Sequence, residues 1–285
     1  MARVKPTLIL IAMISIGCGI DTAAPALDPG STGSSDPGGS DPGTGPVTEV
    51  SGHVTAATTW KDRIHVVGSV TIDAGVTVTV QAGTTVDVAS NAGVGISVLG
   101  VLDIRGTRAA KVTFRPATAG ETWSDISVPR GGAMTASYLV QTGGGIALSS
   151  TGKVTLVDSQ MSHAGGDFLT MSGGTLNMTY SAIGLELGQS DTTHCDMHVS
   201  GPVTITASHS NFSTAAFGLM FYGGTNADFT YTNWFGNADF DVATEAAYPV
   251  TGNFSNSYFA HGAPSYAGFT VNNMASARVA DAGVR

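Results

Sequence analysis

An all-β fold of stacked parallel coils is what this sequence predicts, and three observations carry that prediction. From about Val50 onward, apolar and polar residues alternate in β-branched runs such as Val76-Thr77-Val78-Thr79-Val80 and Val86-Asp87-Val88, with no sustained 3.6-residue period. A small polar residue, any residue, then a large apolar one recurs as Ser159-Gln160-Met161, Ser181-Ala182-Ile183, Ser210-Asn211-Phe212, Asn233-Trp234-Phe235 and Ser257-Tyr258-Phe259, with intervals of 22, 29, 23 and 24 between the apolar members. The 285 residues include 38 Gly but only 12% charged residues, roughly twice and half the average usage, which excludes coiled coils and helical bundles. A period in the low twenties with strands and no helix indicates a parallel solenoid, because one coil cannot bury its apolar face alone. A propeller needs about 40 residues per blade and tight antiparallel turns. The chain contains neither Asn-Gly nor Asp-Gly.

Taken in chain order, the first element is an export signal. Arg3 and Lys5 precede the apolar run Leu8–Ile14, which is too short to span a bilayer, and Ser15-Ile16-Gly17 lead into Cys18. A Cys after a small residue at the end of such a signal resembles the lipobox of bacterial lipoproteins. Gly17 and Cys18 match that pattern, and Ser15 and Ile16 depart from it. The resemblance implies cleavage after residue 17 and a lipid on Cys18. Residues 18–46 then form a Gly/Ser/Pro/Asp tether with no apolar stripe to offset the entropy of ordering.

Residues 47–285 form the solenoid. The stretch Val70-Thr71-Ile72-Asp73-Ala74-Gly75-Val76-Thr77-Val78, followed by Gly95–Thr107, Lys111-Val112-Thr113-Phe114 and Trp123–Val128, resembles the opening coils of bacterial surface proteins with right-handed parallel β-helix repeats, the pectate-lyase-like superfamily. That resemblance implies a single-stranded right-handed parallel β-helix. It says little of activity, because the superfamily holds lyases, hydrolases and adhesins.

Charge narrows the function. The net charge is −9, and losing Arg3 and Lys5 from the 12 bases leaves 10 against 21 acids, or −11. Nucleic-acid binding, which needs clustered Lys and Arg, is excluded as an expectation. Between Lys153 and Arg278 the chain carries nine acids and no Lys or Arg, so that half offers neither the base nor the cations of a polyuronate lyase.

Two constellations remain. Asp239 and Asp241, with His261 about one coil later, faintly resemble the acid and His motifs of β-helical polygalacturonases, and alternation would put both carboxylates on one strand face. That family's adjacent Asp pair and basic motif are absent, and two solvated acids are the commoner arrangement. His194-Cys195-Asp196-Met197-His198 falls in the longest of the repeat intervals, as expected of a loop or widened turn. If extended, it projects His194, Asp196 and His198 to one side as a partial transition-metal ligand set, with Cys195 a small buried residue on the other. Aromatics gather in the last coils, including Phe221, Tyr222, Tyr231, Trp234, Tyr258, Phe259 and Tyr266, and alternation puts about half of them in the core.

The expectation is an exported protein of the cell envelope, at the outer membrane or cell surface, held by a lipid on Cys18. Its role is structural, adhesive or glycan-contacting rather than catalytic, with no cofactor. The alternative is a polysaccharide hydrolase using paired carboxylates.

Overall fold

The computed structural model describes residues 46–90, 93–185, 194–245 and 250–285. The signal, Cys18 and nearly all of the tether lie outside the described residues. Those described contain strands and turns and no helix. Every strand pairing is parallel, within one sheet of ten strands and one of seventeen.

The pairings resolve into three ladders. The ten-strand sheet is one. The larger sheet holds two, joined where the long strand Arg63–Ile72 pairs through Arg63–Val66 with Thr85–Val88 and through Val70–Ile72 with Ile96–Val98. We call these the first and second ladders. From Thr77 onward the chain visits the ten-strand sheet, the first ladder and the second ladder in rotation, three strands to a circuit, as in Lys153–Val157, Gln160–Ser162 and Leu169–Met171. Successive circuits stack at about the 4.8 Å strand spacing. Along the ten-strand sheet Val78, Leu102, Met134, Val154, Leu176, Ile205 and Ala227 stand in register. The circuits that this register defines are unequal. Those from Leu102 to Met134 and from Leu176 to Ile205 are the long ones, and that from Met134 to Val154 is the shortest.

Period-two alternation sends these residues and their i+2 neighbours inward. They join Val, Ile and Leu from the other ladders in one apolar core, which turns aromatic toward the C-terminus. There Phe212 stacks on Trp234 at 4.1 Å, and Phe229 stacks on Phe254 at 5.3 Å. Such pairs add about 0.5–1.5 kcal/mol each to the area they bury.

At the corner between the ten-strand sheet and the first ladder, each circuit from Tyr138 onward places a residue at positive φ. Tyr138, Asp158, Tyr180, His209, Tyr231 and Asn256 stand there at φ 48–59°. Such a conformation costs a bulky L-residue about 1–2 kcal/mol. Part of that cost is offset outside the corner, where Tyr180, His209 and Tyr231 stack in succession at 4.9 Å centroid spacings and Arg285 lies 3.7 Å from the Tyr180 ring. Inside the corner, the next residue in most circuits is a buried hydroxyl. Ser159, Ser181 and Ser210 each donate to the carbonyl two residues back, at 2.9 Å, and Ser181 and Ser210 also accept the backbone N–H of the serine one circuit earlier, at 3.1 and 3.2 Å.

This corner corrects one detail of the repeat. The residue in register with Phe212 and Phe259 is Trp234, not Phe235, and the buried hydroxyl of that circuit is Thr232, whose N–H and Oγ1 both meet Ser257 Oγ at 3.0 Å. A slip of one residue exchanges faces. Asn233 therefore points toward the tail, where Val279 donates to its Oδ1 and accepts from its Nδ2. The tail continues along this corner until Arg285 grips the Asp158 carboxylate through Nε and Nη2, both at 2.9 Å.

Candidate functional site

The two predicted carboxylates meet His261 in one open cleft of about 450 Å³, with Tyr266 on its wall. They do not share a strand face. The strand starts at Phe240, so Asp239 lies in the preceding turn, exposed, while Asp241 is 2% exposed. Asp241 accepts Asn237 Nδ2 at 3.0 Å and the His261 backbone N–H at 2.9 Å, and its Oδ1 lies 3.3 Å from His261 Nδ1. Bound to Asn237 in its own circuit and to His261 in the next, Asp241 is a clasp between successive circuits.

The His194–His198 segment is strand rather than loop. Cys195–Val199 pairs with Leu169–Met171 on one side and Phe217–Phe221 on the other. The extra residues of this circuit therefore fall before His194. His194 sits outside the strand at a bend, so alternation does not govern it. Asp196 lies in the strand, fully buried, outside the group that forms.

That group is Asp167, His194, Cys195 and His198, whose ligand-capable atoms all lie within 4.8 Å of one another. Asp167 belongs to the preceding circuit, where Phe168 N–H donates to Cys195 O at 3.2 Å and sets the register. Its carboxylate accepts the Cys195 N–H at 3.0 Å, touches His194 Nδ1 and lies 3.3 Å from His198 Nδ1. Two rings hold the imidazoles: Tyr222 stacks on His198 at 4.7 Å and Phe217 meets His194 edge-on at 5.9 Å.

Comparison with protein-family models, with curated proteins and with solved structures finds no match to this chain. Function therefore rests on the geometry alone.

A Cys–His–Asp meeting also suggests a nucleophilic thiolate, but the thiol here has the opposite character. Cys195 is 2% exposed, and burial, followed by the Asp167 charge and hydrogen bond, pushes its thiol well above the usual range. Nucleophilic cysteines sit in accessible, electropositive surroundings that do the reverse. Beside the group lies a cleft of about 250 Å³ whose walls include Trp123, Asp125, Gly165, Asp167 and Thr170. Burial pushes the Asp125 carboxyl up.

Sequence reading did not single out Asp167, nor Cys195 as a ligand. The available signal was circuit length: Asp167 precedes His194 by nearly the full span of the longest repeat interval, so the two fall at neighbouring places on successive circuits.

The third feature is the outer face of the ten-strand sheet. Thr155, Asn177, Thr206, Asp228, Asn253 and Thr270 stand in register as one outward row, and Thr175, Thr204, Asn226 and Thr251 form a second. Apart from Asp228, which accepts Asn253 Nδ2 at 2.9 Å, these two rows carry only hydroxyl and amide side chains. Part of this face forms an open groove of about 530 Å³ lined by Thr206, Asn226, Asp228 and Asn253.

Proposed function

We propose that this chain is an exported cell-envelope protein, lipid-anchored at Cys18, whose body is a single-stranded right-handed parallel β-helix that contacts polysaccharide without catalysis. The observation that carries the reading is the pair of outward hydroxyl and amide rows on the ten-strand sheet. An extended glycan presents hydroxyls at regular intervals, and rows repeating at about 4.8 Å offer donors and acceptors at a comparable pitch. Rows uncharged apart from Asp228 suit a neutral polymer and favour recognition by many weak hydrogen bonds over one deep pocket. Tyr266, exposed beside the Asp239 cleft, adds an aromatic surface of the kind sugars stack on.

The strict rotation of strands through three parallel ladders supports the β-helical reading, and the signal-like start supports export. The test is binding of the purified full chain to a glycan array and to insoluble polysaccharides, with and without Asn177→Ala/Thr206→Ala/Asn226→Ala, three outward positions whose truncation leaves the core intact. Specific binding weakened at least tenfold by the triple variant, with an unchanged melting curve, is expected. Binding to no glycan, binding indifferent to the substitutions, or turnover of a polysaccharide lost on Asp239→Ala would each overturn the reading. For the anchor, labelled lipid should enter the wild type and not Cys18→Ala, and label persisting in that variant would refute it.

A further inference from the structure

Two imidazoles, a thiol and a carboxylate meet at Asp167, His194, Cys195 and His198, drawn from two successive circuits into a span of 4.8 Å. Turn hydrogen bonding accounts for Asp167 bonding the Cys195 N–H. It does not account for a second imidazole and a thiol gathered round the same carboxylate. We propose that these four side chains bind one divalent transition-metal ion, with zinc the best match to the donor set.

The donor atoms decide the class. Calcium and magnesium take oxygen ligands, so a site with two nitrogens and a sulfur is wrong for either. Copper(I) and iron–sulfur clusters favour sets dominated by sulfur. Zinc accepts Cys, His and carboxylate together in tetrahedral sites, at bond lengths of about 2.0–2.3 Å. Those lengths put neighbouring ligand atoms about 3.3–3.8 Å apart, so the present group needs to contract by only about 1–1.5 Å. The shortest path is rotation of Asp167 and His194, because His194 is the most exposed member, at 51%, while Cys195 and His198 are fixed by the strand.

Charge points the same way. Between Lys153 and Arg278 the chain brings no Lys or Arg, so the positive charge that a divalent ion would add beside Asp167 is not duplicated by a cation from that segment. Such an ion would also deprotonate Cys195 as a ligand. Tyr222 and Phe217 would hold the imidazole planes and shield one side, the part that surrounding groups play in tuning metal ligands. The half-exposed His194 side leaves a route for the ion.

The probes are zinc and cobalt(II), added to the full chain purified without a histidine tag and stripped with a chelator. Zinc should bind at one equivalent per chain, measured by elemental analysis after dialysis and by competition with a chromophoric chelator. Cobalt(II) should give the strong visible bands of a tetrahedral centre and a thiolate charge-transfer absorption in the near ultraviolet. Cys195→Ser should abolish the charge-transfer absorption. His198→Ala should keep it while weakening zinc binding by about tenfold or more. His53→Ala, far along the chain, should change nothing. Substoichiometric zinc after dialysis, a wild-type cobalt spectrum without the thiolate transition, or a transition that survives Cys195→Ser would overturn the assignment. The wild-type spectrum decides the matter even if a variant fails to fold, and none of these readouts depends on glycan binding.

Discussion

Ser181→Ala should cost far more than the loss of one surface hydroxyl, and its effect should be felt one circuit away. Ser181 is fully buried. Its Oγ donates to Thr179 O at 2.9 Å and accepts the Ser159 N–H at 3.1 Å. Thr179 O also takes the Asp158 N–H at 3.1 Å, so truncation leaves that carbonyl a partner. Among the described residues the Ser159 N–H has only Ser181, and Ser159 is itself 1% exposed. The substitution therefore orphans one buried donor, a cost of about 1–3 kcal/mol, with little change in packing volume. At about 2–4 °C per kcal/mol for a domain of this size, the melting temperature should fall measurably. Stacked circuits can unfold in segments, so the sharper assay is hydrogen exchange at the Ser159 amide. Its protection should fall by the same free energy, while the exposed control Ser172→Ala stays within about 0.5 kcal/mol of wild type. Adding Ser210→Ala orphans the Ser181 N–H as well and should roughly double the loss. A cost below about 0.5 kcal/mol with the Ser159 amide still protected would refute the idea that the hydroxyl column satisfies the corner amides.

Two further outcomes follow from the interior and from a buried ion pair. Trp234→Ala removes a ring that is fully buried, stacked on Phe212 and donating Nε1 to Thr232 Oγ1 at 3.0 Å, so urea denaturation should show a loss of about 3–5 kcal/mol, against little for Tyr231→Ala outside the corner. Burial pushes the Asp87 carboxyl up, but hydrogen bonds from Arg115 and Arg63, each at 2.8 Å, outweigh it and hold the pKa below the ordinary 3.8. The stabilisation from a depressed carboxylate is fully present above the unfolded value and is lost as pH falls from 3.8 through the folded one. A urea midpoint series below pH 5 should therefore slope more gently in Asp87→Asn than in wild type, and equal slopes would deny the pair any linkage.

The repeat was legible because each circuit must offer the core an apolar residue at the same place, and sequence records that demand directly. Register was harder to read at one point. Trp234 and Phe235 are adjacent large aromatics, and a search for Ser or Asn two residues upstream selects Asn233, although the corner requires a buried hydroxyl and Thr232 supplies it as well as serine does. The Asp239, Asp241 and His261 group was legible as proximity but not as burial, because alternation assumes a strand and the strand begins only at Phe240. The four-ligand group was half legible. His194 and His198 share a short stretch of sequence, whereas Asp167 joins them only through stacking, and stacking depends on a circuit length that changes from one turn of the solenoid to the next.

That variation in length bears on where function sits. The core of the described circuits is an apolar cluster, and the clefts described above lie on outer faces and turns. Two circuits exceed their neighbours, the one from Leu102 to Met134 and the one from Leu176 to Ile205. The first contains Thr122, Trp123 and Asp125, which wall the 250 Å³ cleft, and the second brings in His194 and Cys195. Asp167 belongs to both places, lining the cleft and contacting the two imidazoles. Extra length in a stacked array costs closure entropy, and sites that depart from a repeat's local rule are where function is expected. The first lengthened circuit shares a cleft with Asp167 and the second brings two imidazoles and a thiol to it, away from the hydroxyl rows of the ten-strand sheet. Among the described residues the body thus separates the repetitive surface proposed to meet polysaccharide from the irregular corner proposed to bind a metal ion.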